Sequence, residues 1–196
     1  MNRLQKQIKF LKEIDALKEI MRRSLIMSGA RYENTAEHSW HLAMMVLTLH
    51  EHANEPIDVG HTMKLVLVHD IVEIDAGDTY AYDVVGYEDK QEREQRAAER
   101  LFGYLPEDQM VELMGLWHEF EARETAEAKF ANAVDRLIPL LHNYENDGES
   151  WREHGVYKWQ VIDRCQIMAD GSAALWEVGL GLIDNAARQG WIIDNE

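Results

Sequence analysis

Two histidines and two aspartates occur in apolar surroundings, where polar side chains are costly to bury. His69 and Asp70 follow the aliphatic run 65–68, His38 opens an apolar helical segment, and Asp135 lies beside a later apolar stripe. Burying an unpaired carboxylate is unfavourable, so such groups are normally paired, neutralised or bound to a metal. These four side chains are therefore candidates for a single metal site.

The available ligand types restrict the metal. The only cysteine, Cys165, excludes both a cysteine-based zinc cage and an internal disulfide. Two neutral imidazoles and two carboxylates suit a divalent ion such as Mn, Co, Fe, Mg or Zn, and they leave coordination positions open for water and substrate. We therefore predict one divalent metal ion in a catalytic site and leave its identity open.

A purely structural explanation exists for the central pair. His69 could be a hydrogen-bonded core histidine, and Asp70 could cap the next turn. An isolated His-Asp pair is weak evidence for chemistry. The metal interpretation depends on His38 and Asp135, which lie on separate predicted helices and add the same ligand types.

Composition limits the possible partners. The net charge of −16 argues against polymeric nucleic acid, because phosphate-backbone binding needs a clustered positive surface. No apolar run approaches the roughly 20 residues that span a bilayer, so we expect no membrane partner. A single cysteine is typical of a reducing compartment, and we predict a cytoplasmic location.

Helical periodicity predicts an all-α fold of about seven helices. A length of 196 residues suits one domain, for which we expect a metal-site core at about 17–146 with C-terminal helices at 155–190 packed on it. We expect the first helix to end near residues 22–24, the segment 28–34 to be a loop, and no strands.

The predicted helices carry the candidate ligands. Thr35 is a plausible N-cap for a helix to about Ala53, which places His38 in its first turn. A helix at about 59–74 would carry His69 and Asp70. A helix from Thr125 would carry Asp135 on or next to its buried face.

The chain resembles the HD-domain metal-dependent phosphohydrolases, and within them the 5'-deoxynucleotidase branch of YfbR-type enzymes and HD domain-containing protein 2. The resemblance covers roughly residues 17–146, and its blocks arrive in the family's order. These blocks are Glu33-Asn34-Thr35-Ala36-Glu37-His38-Ser39, Leu67-Val68-His69-Asp70-Ile71-Val72-Glu73, Gly77-Asp78, and Glu127-Ala128-Lys129-Phe130 followed by Asp135. Together they are far more specific than an isolated His-Asp pair.

The resemblance implies that His38, His69, Asp70 and Asp135 bind the metal. It also implies that Glu73 accepts a proton from the attacking water, since one helical turn separates it from the His-Asp pair. Each of these roles is an expectation carried over from the family.

Two further roles follow from the resemblance. Asp78 would hold the attacking water or protonate the leaving sugar oxygen, with an Asx-turn residue as the alternative. Arg23 would bind the substrate phosphate, with a cap at the C-terminus of the first helix as the alternative. YfbR-type enzymes have a tryptophan directly after this arginine where this chain has Ser24, so the resemblance leaves deoxyribose or ribose preference open.

The implied reaction is hydrolysis of a (deoxy)nucleoside 5'-monophosphate to nucleoside and phosphate, and the resemblance favours a homodimer. Two alternatives remain open on the sequence alone. One is an HD phosphohydrolase acting on a nucleoside triphosphate, (p)ppGpp or a cyclic nucleotide. The other is a non-catalytic helical binding module that keeps the metal for structure.

Overall fold

A computed structural model describes residues 1–77 and 89–194, and within these ranges the fold is all-α. Its helices are α1 (Arg3–Glu13), α2 (Thr35–Leu49), α3 (Val59–Val68), α4 (Glu73–Ala76), α5 (Lys90–Phe102), α6 (Glu107–Ala122), α7 (Ala126–Glu145), α8 (Glu149–Glu153), α9 (Lys158–Cys165), α10 (Met168–Gly171) and α11 (Ala173–Arg188). Seven of these described helices have ten residues or more, which confirms the predicted class and approximate helix count. Asp78 lies outside the described residues. Across the described ranges, no helix combines the length and apolar character needed to cross a membrane.

The first helix is shorter than predicted. It ends at Glu13, and a 3-10 helix at Ile14–Glu19 leads into strand β1 (Met21–Leu25). This strand pairs antiparallel with β2 (Tyr32–Asn34), so the expectations of a helix to residues 22–24 and of no strands were wrong. Pairing of the two strands across a short turn supplies backbone hydrogen bonds. The apolar spacing of this segment is too weak to favour a helix over this pairing.

Helix α2 begins where the sequence indicated. The side chain of Asn34 accepts a hydrogen bond from the backbone of Glu37, and the Glu37 side chain accepts one from the backbone of Asn34. This reciprocal capping box makes Asn34 the N-cap and Thr35 the first helical residue, so the helix begins one position earlier than predicted. His38 therefore lies in the first turn, as predicted.

Helix α3 ends earlier than predicted, at Val68, so the His-Asp pair lies at a helix end rather than within a helix. The backbone hydrogen bonds after Val68 span three residues instead of four: the Ile71 N–H donates to Val68 O at 3.1 Å, and the Glu73 N–H donates to Asp70 O at 3.0 Å. These i to i−3 bonds turn the chain between α3 and α4.

Helix α7 lies at the centre of the fold. Thr125, where the helix was predicted to begin, is its N-cap, and α2, α3, α6, α10 and α11 pack against it. Its buried residues include Phe130, Val134 and Ile138, and Asp135 among them is only 5% exposed. The core thus surrounds the helix that carries one of the candidate ligands.

We expect Gly171→Ala to destabilise the protein. A Cβ at Gly171 would stand 2.2 Å from the carbonyl oxygen of Lys129, because α10 packs directly against the backbone of α7. Backbone cannot move aside as a flexible side chain can, so we expect a loss of about 3 kcal/mol in the free energy of unfolding, measured by urea denaturation.

Gly115→Ala is the matched control. Gly115 lies within α6, and a Cβ there would meet no atom within 4 Å. Alanine is the better helix former, so this change should raise stability by about 0.5–1 kcal/mol. Equal effects of the two substitutions would contradict the close packing of α10 on α7.

Candidate metal centre

Three of the four predicted ligands meet at one point. His38, His69 and Asp135 each offer one ligand atom, and these atoms lie within 4.8 Å of one another. Nε2 of His38 is 3.1 Å from Oδ1 of Asp135, and Nε2 of His69 is 3.8 Å from the same oxygen. Separations of this size suit ligands that surround a single ion at about 2.0–2.2 Å.

Asp70 lies beside this group. Its Oδ1 is 3.0 Å from Nε2 of His69, and its Oδ2 is 3.9 Å from Nε2 of His38. The structure therefore brings all four predicted side chains together, with Asp70 at the more open edge: its side chain is 13% exposed, against 0% for His38.

Hydrogen bonds from Nδ1 to oxygen acceptors orient both imidazoles. Nδ1 of His69 lies 2.8 Å from the carbonyl oxygen of Val66, which can only accept, so this nitrogen carries the hydrogen. Nδ1 of His38 lies 3.2 Å from Oε2 of Glu33, and the neutral tautomer that donates to this carboxylate leaves Nε2 for a metal. In the neutral rings, both Nε2 lone pairs then face the cluster, which is the arrangement used by metal-binding histidines.

The cluster requires a cation. Each Nε2 lone pair faces carboxylate oxygens, which also carry lone pairs, and the buried Nε2 of His69 has no hydrogen-bond partner. Lone pairs in contact repel, so this geometry is favourable only with a positive charge between them. The donor set therefore fits a divalent metal ion.

The pKa of His69 also indicates that the cluster favours a positive charge. Burial alone would lower the pKa of His69, but the negative charges of Asp70 and Asp135 outweigh burial and raise this pKa to about 10. Without a metal, a proton on His69 is thus strongly favoured, because it supplies the positive charge that the carboxylates attract.

Two arginines keep the aspartates ionised. Burial favours their neutral forms, but Nη1 of Arg22 donates to Oδ2 of Asp70 at 2.7 Å, and Nη1 of Arg136 donates to Oδ2 of Asp135 at 2.7 Å. With the nearby histidines, these cations hold the pKa of each carboxyl well below its usual range. Each aspartate keeps its other oxygen directed at the imidazoles.

Glu73 begins α4 directly after the turn that carries the His-Asp pair, and it is 7% exposed. Its Oε2 accepts a hydrogen bond of 2.9 Å from the hydroxyl of Thr35, one turn before His38 on α2. This contact ties the proposed base to the helix that carries a proposed ligand. The sequence pattern had indicated Thr35 as an N-cap and gave no sign of its contact with Glu73.

The structure places the neighbouring arginines of β1 differently. Arg22 contacts Asp70, whereas Arg23 is exposed and lines a surface cavity of about 310 Å³ with Tyr32, Glu149 and His154. Successive strand residues point to opposite faces, which explains the separation. Sequence reasoning had singled out Arg23 and missed Arg22; substrate binding by Arg23 stays a prediction.

The loop residues before α2 have supporting roles. Glu33 holds Nδ1 of His38, Asn34 caps the helix, and Arg31 pairs with Glu37 through both guanidinium Nη atoms.

Comparison with known proteins establishes the family. The HD-domain family model matches residues 14–176. The chain belongs to the HD-domain family. This HD-domain protein is 34% identical over 140 residues to the 5'-deoxynucleotidase HDDC2 of Bos taurus and 30% identical over 139 residues to that of Homo sapiens. Each alignment covers 70% of this chain and about two thirds of the relative, 66% and 67% respectively.

A solved structure resembles the HD-domain protein over nearly its whole length. It is described as a predicted metal-dependent phosphohydrolase from Magnetospirillum magnetotacticum MS-1, is 49% identical in sequence and superposes with a TM-score of 0.93. The match covers 97% of this chain and 95% of the other. The family, this neighbour and the His/Asp cluster together support a divalent metal in the HD-domain protein.

Proposed function

We propose that this protein is a metal-dependent phosphohydrolase that converts (deoxy)nucleoside 5'-monophosphates to nucleosides and phosphate. The proposal rests on one observation: the Nε2 atoms of two buried histidines lie beside the carboxylates of two aspartates. This arrangement of donors suits a divalent ion. The substrate class is proposed from the relatives named 5'-deoxynucleotidase.

His38, His69, Asp70 and Asp135 would hold the ion. When bound, a divalent ion polarises a phosphoryl oxygen and lowers the pKa of a coordinated water. Two helices, α2 and α7, and the turn after α3 supply these four ligands, which leaves open coordination positions for substrate.

The other residues would manage protons and charge. Glu73 accepts the proton from the water that attacks phosphorus, and the bond from phosphorus to the 5' oxygen of the sugar breaks. Asp78 is proposed to hold that water or to protonate the departing sugar oxygen. The guanidinium of Arg22, only 14% exposed, would offset charge on the phosphoryl oxygens.

The direct test is phosphate release from a panel of deoxyribo- and ribonucleoside mono-, di- and triphosphates. Metal-stripped protein would receive Mn²⁺, Co²⁺, Mg²⁺ or Zn²⁺ separately. We expect metal-dependent release from monophosphates, with deoxyribonucleotides preferred. The ratio of deoxy to ribo rates would also show the effect of Ser24.

The panel separates the alternatives. Release from triphosphates instead of monophosphates would move the protein to another branch of the HD phosphohydrolases. No release from any ester, with metal demonstrably bound, would contradict the proposal and favour a non-catalytic binding module.

Neighbouring arginines should affect different kinetic constants. Arg22 orients Asp70, so we expect Arg22→Gln to lower kcat/KM by about tenfold or more and to weaken metal binding. Arg23 is exposed, so a contact to substrate phosphate predicts that Arg23→Gln raises KM while leaving metal affinity unchanged. Steady-state kinetics measures kcat/KM and KM, and equilibrium dialysis measures the affinity for the metal. An unchanged KM in Arg23→Gln would remove Arg23 from substrate binding.

We also propose a single-domain, cytoplasmic homodimer. One face of α2 exposes Trp40, Met44 and Leu47, which are 62%, 40% and 45% exposed and stand at helical spacing. A second copy that covered this face would remove it from water. Light scattering coupled to size-exclusion chromatography would measure the mass, and a monomer at micromolar concentration would contradict the dimer.

A further inference from the structure

A second group of potential ligands lies next to the metal centre, with two members on the helices that carry His38 and Asp135 and the third on β2. Glu33, His41 and His142 each offer an atom, and these atoms lie within 4.8 Å of one another. His41 follows His38 by three residues on α2, and His142 follows Asp135 by seven on α7. These spacings keep each pair on one helix face.

Glu33 lies between the two groups. Its Oε2 is 3.2 Å from Nδ1 of His38 and 3.7 Å from Nδ1 of His142. The contact with His38 orients this imidazole so that its Nε2 faces the HD centre. The second contact is too long for a hydrogen bond, but two ligands of one ion can stand this far apart when each is about 2.1 Å from it.

His142 is the observation that points to a ligand. Its side chain is 2% exposed, and its Nδ1 is buried without any hydrogen-bond partner. Leaving a buried polar atom unpaired is costly, and a metal ion bound to Nδ1 would satisfy it. The ring lies 6.3 Å from that of His41, centroid to centroid, with an interplanar angle of 56°.

The surroundings permit entry of a cation. His41 is half-buried, so the group is reached from the protein surface. Glu37, one turn before His41 on α2, adds a second carboxylate nearby, although it pairs with Arg31. Opposing charge comes from Arg22, whose Nε is 3.7 Å from Oε2 of Glu33. Oε2 of Glu33 is therefore shared between Arg22, His38 and any bound cation, so the two imidazoles would be the main ligands of that cation.

We propose that Glu33, His41 and His142 form a second site for a divalent transition-metal ion, separate from the HD centre and linked to it through Glu33. Two imidazoles and one carboxylate favour Zn²⁺, Co²⁺ or Mn²⁺ over Mg²⁺ and Ca²⁺, which prefer oxygen ligands. The site needs no substrate and plays no part in the proposed reaction.

The test is the binding of Co²⁺ alone to the metal-stripped chain, followed by equilibrium dialysis with metal analysis and by visible absorption. We expect about two equivalents in the wild type and about one in His142→Gln and in His41→Gln. His118→Gln, which changes an exposed histidine on α6, is the matched control and should keep both.

Asp135→Asn separates this proposal from the HD centre, because it should lose the first equivalent and keep the second with its absorption spectrum. His41 is half-buried, so His41→Gln tests the site even where His142→Gln fails to fold. A single equivalent in the wild type, or two equivalents retained in His41→Gln, would overturn the second site.

Discussion

Asp135→Asn is expected to abolish metal binding at the HD centre and turnover together. One carboxylate oxygen of Asp135 lies 3.1 Å and 3.8 Å from the Nε2 atoms of the two histidines, so the amide removes the charge common to both. Because metal catalysis supplies several kcal/mol of transition-state stabilisation, we expect phosphate release to fall about a thousandfold or more. Phosphate release and equilibrium dialysis with Mn²⁺ would measure the two effects.

Asp184→Asn controls for the loss of one negative charge. Asp184 is an exposed residue of α11 that pairs with Lys158, and its amide variant should match the wild type in both measurements. Wild-type Mn²⁺ occupancy of the HD centre in Asp135→Asn, with folding verified by circular dichroism, would exclude Asp135 as a ligand.

Glu73→Gln should separate chemistry from metal binding. The buried carboxylate is proposed to take a proton from the attacking water, which an amide cannot do, so we expect kcat to fall about 100- to 10,000-fold. Glutamine keeps the shape of the side chain and can still accept the hydrogen bond from Thr35. Metal affinity should therefore stay within a few-fold of the wild type.

Glu112→Gln is the control for this substitution. Glu112 is an exposed residue of α6 paired with Lys64, and removing its charge should leave kcat unchanged. Wild-type turnover by Glu73→Gln would exclude Glu73 as the base. Loss of bound metal together with activity would instead indicate that Glu73 is a metal ligand or supports one.

Much of the site was predictable because apolar context makes buried polar residues conspicuous. His38, His69, Asp70 and Asp135 follow or interrupt apolar segments, and the structure brings all four together. The starts of α2 and α7 were predictable to within about a residue, because Asn34 and Thr125 cap them through hydrogen bonds three positions along the chain. Such signals are local and leave a direct mark on the sequence.

Contacts between distant segments were not predictable in the same way. The hairpin of β1 and β2 forms by pairing across a turn, and it directs Arg22 rather than Arg23 at Asp70. The hydrogen bond of Thr35 to Glu73 joins residues 38 positions apart. No periodicity within a single element encodes either contact.

The sequence by itself determined the helical class, the metal-ligand types and the resemblance to the HD-domain family, because these depend on residue identity and short-range spacing. Only the tertiary structure decided which cation faces each carboxylate, which imidazole nitrogen is left for a metal, and that Glu33 lies between His38 and His142. Those features depend on how α2, α3 and α7 pack together, and side chains from separate elements meet only once that packing exists.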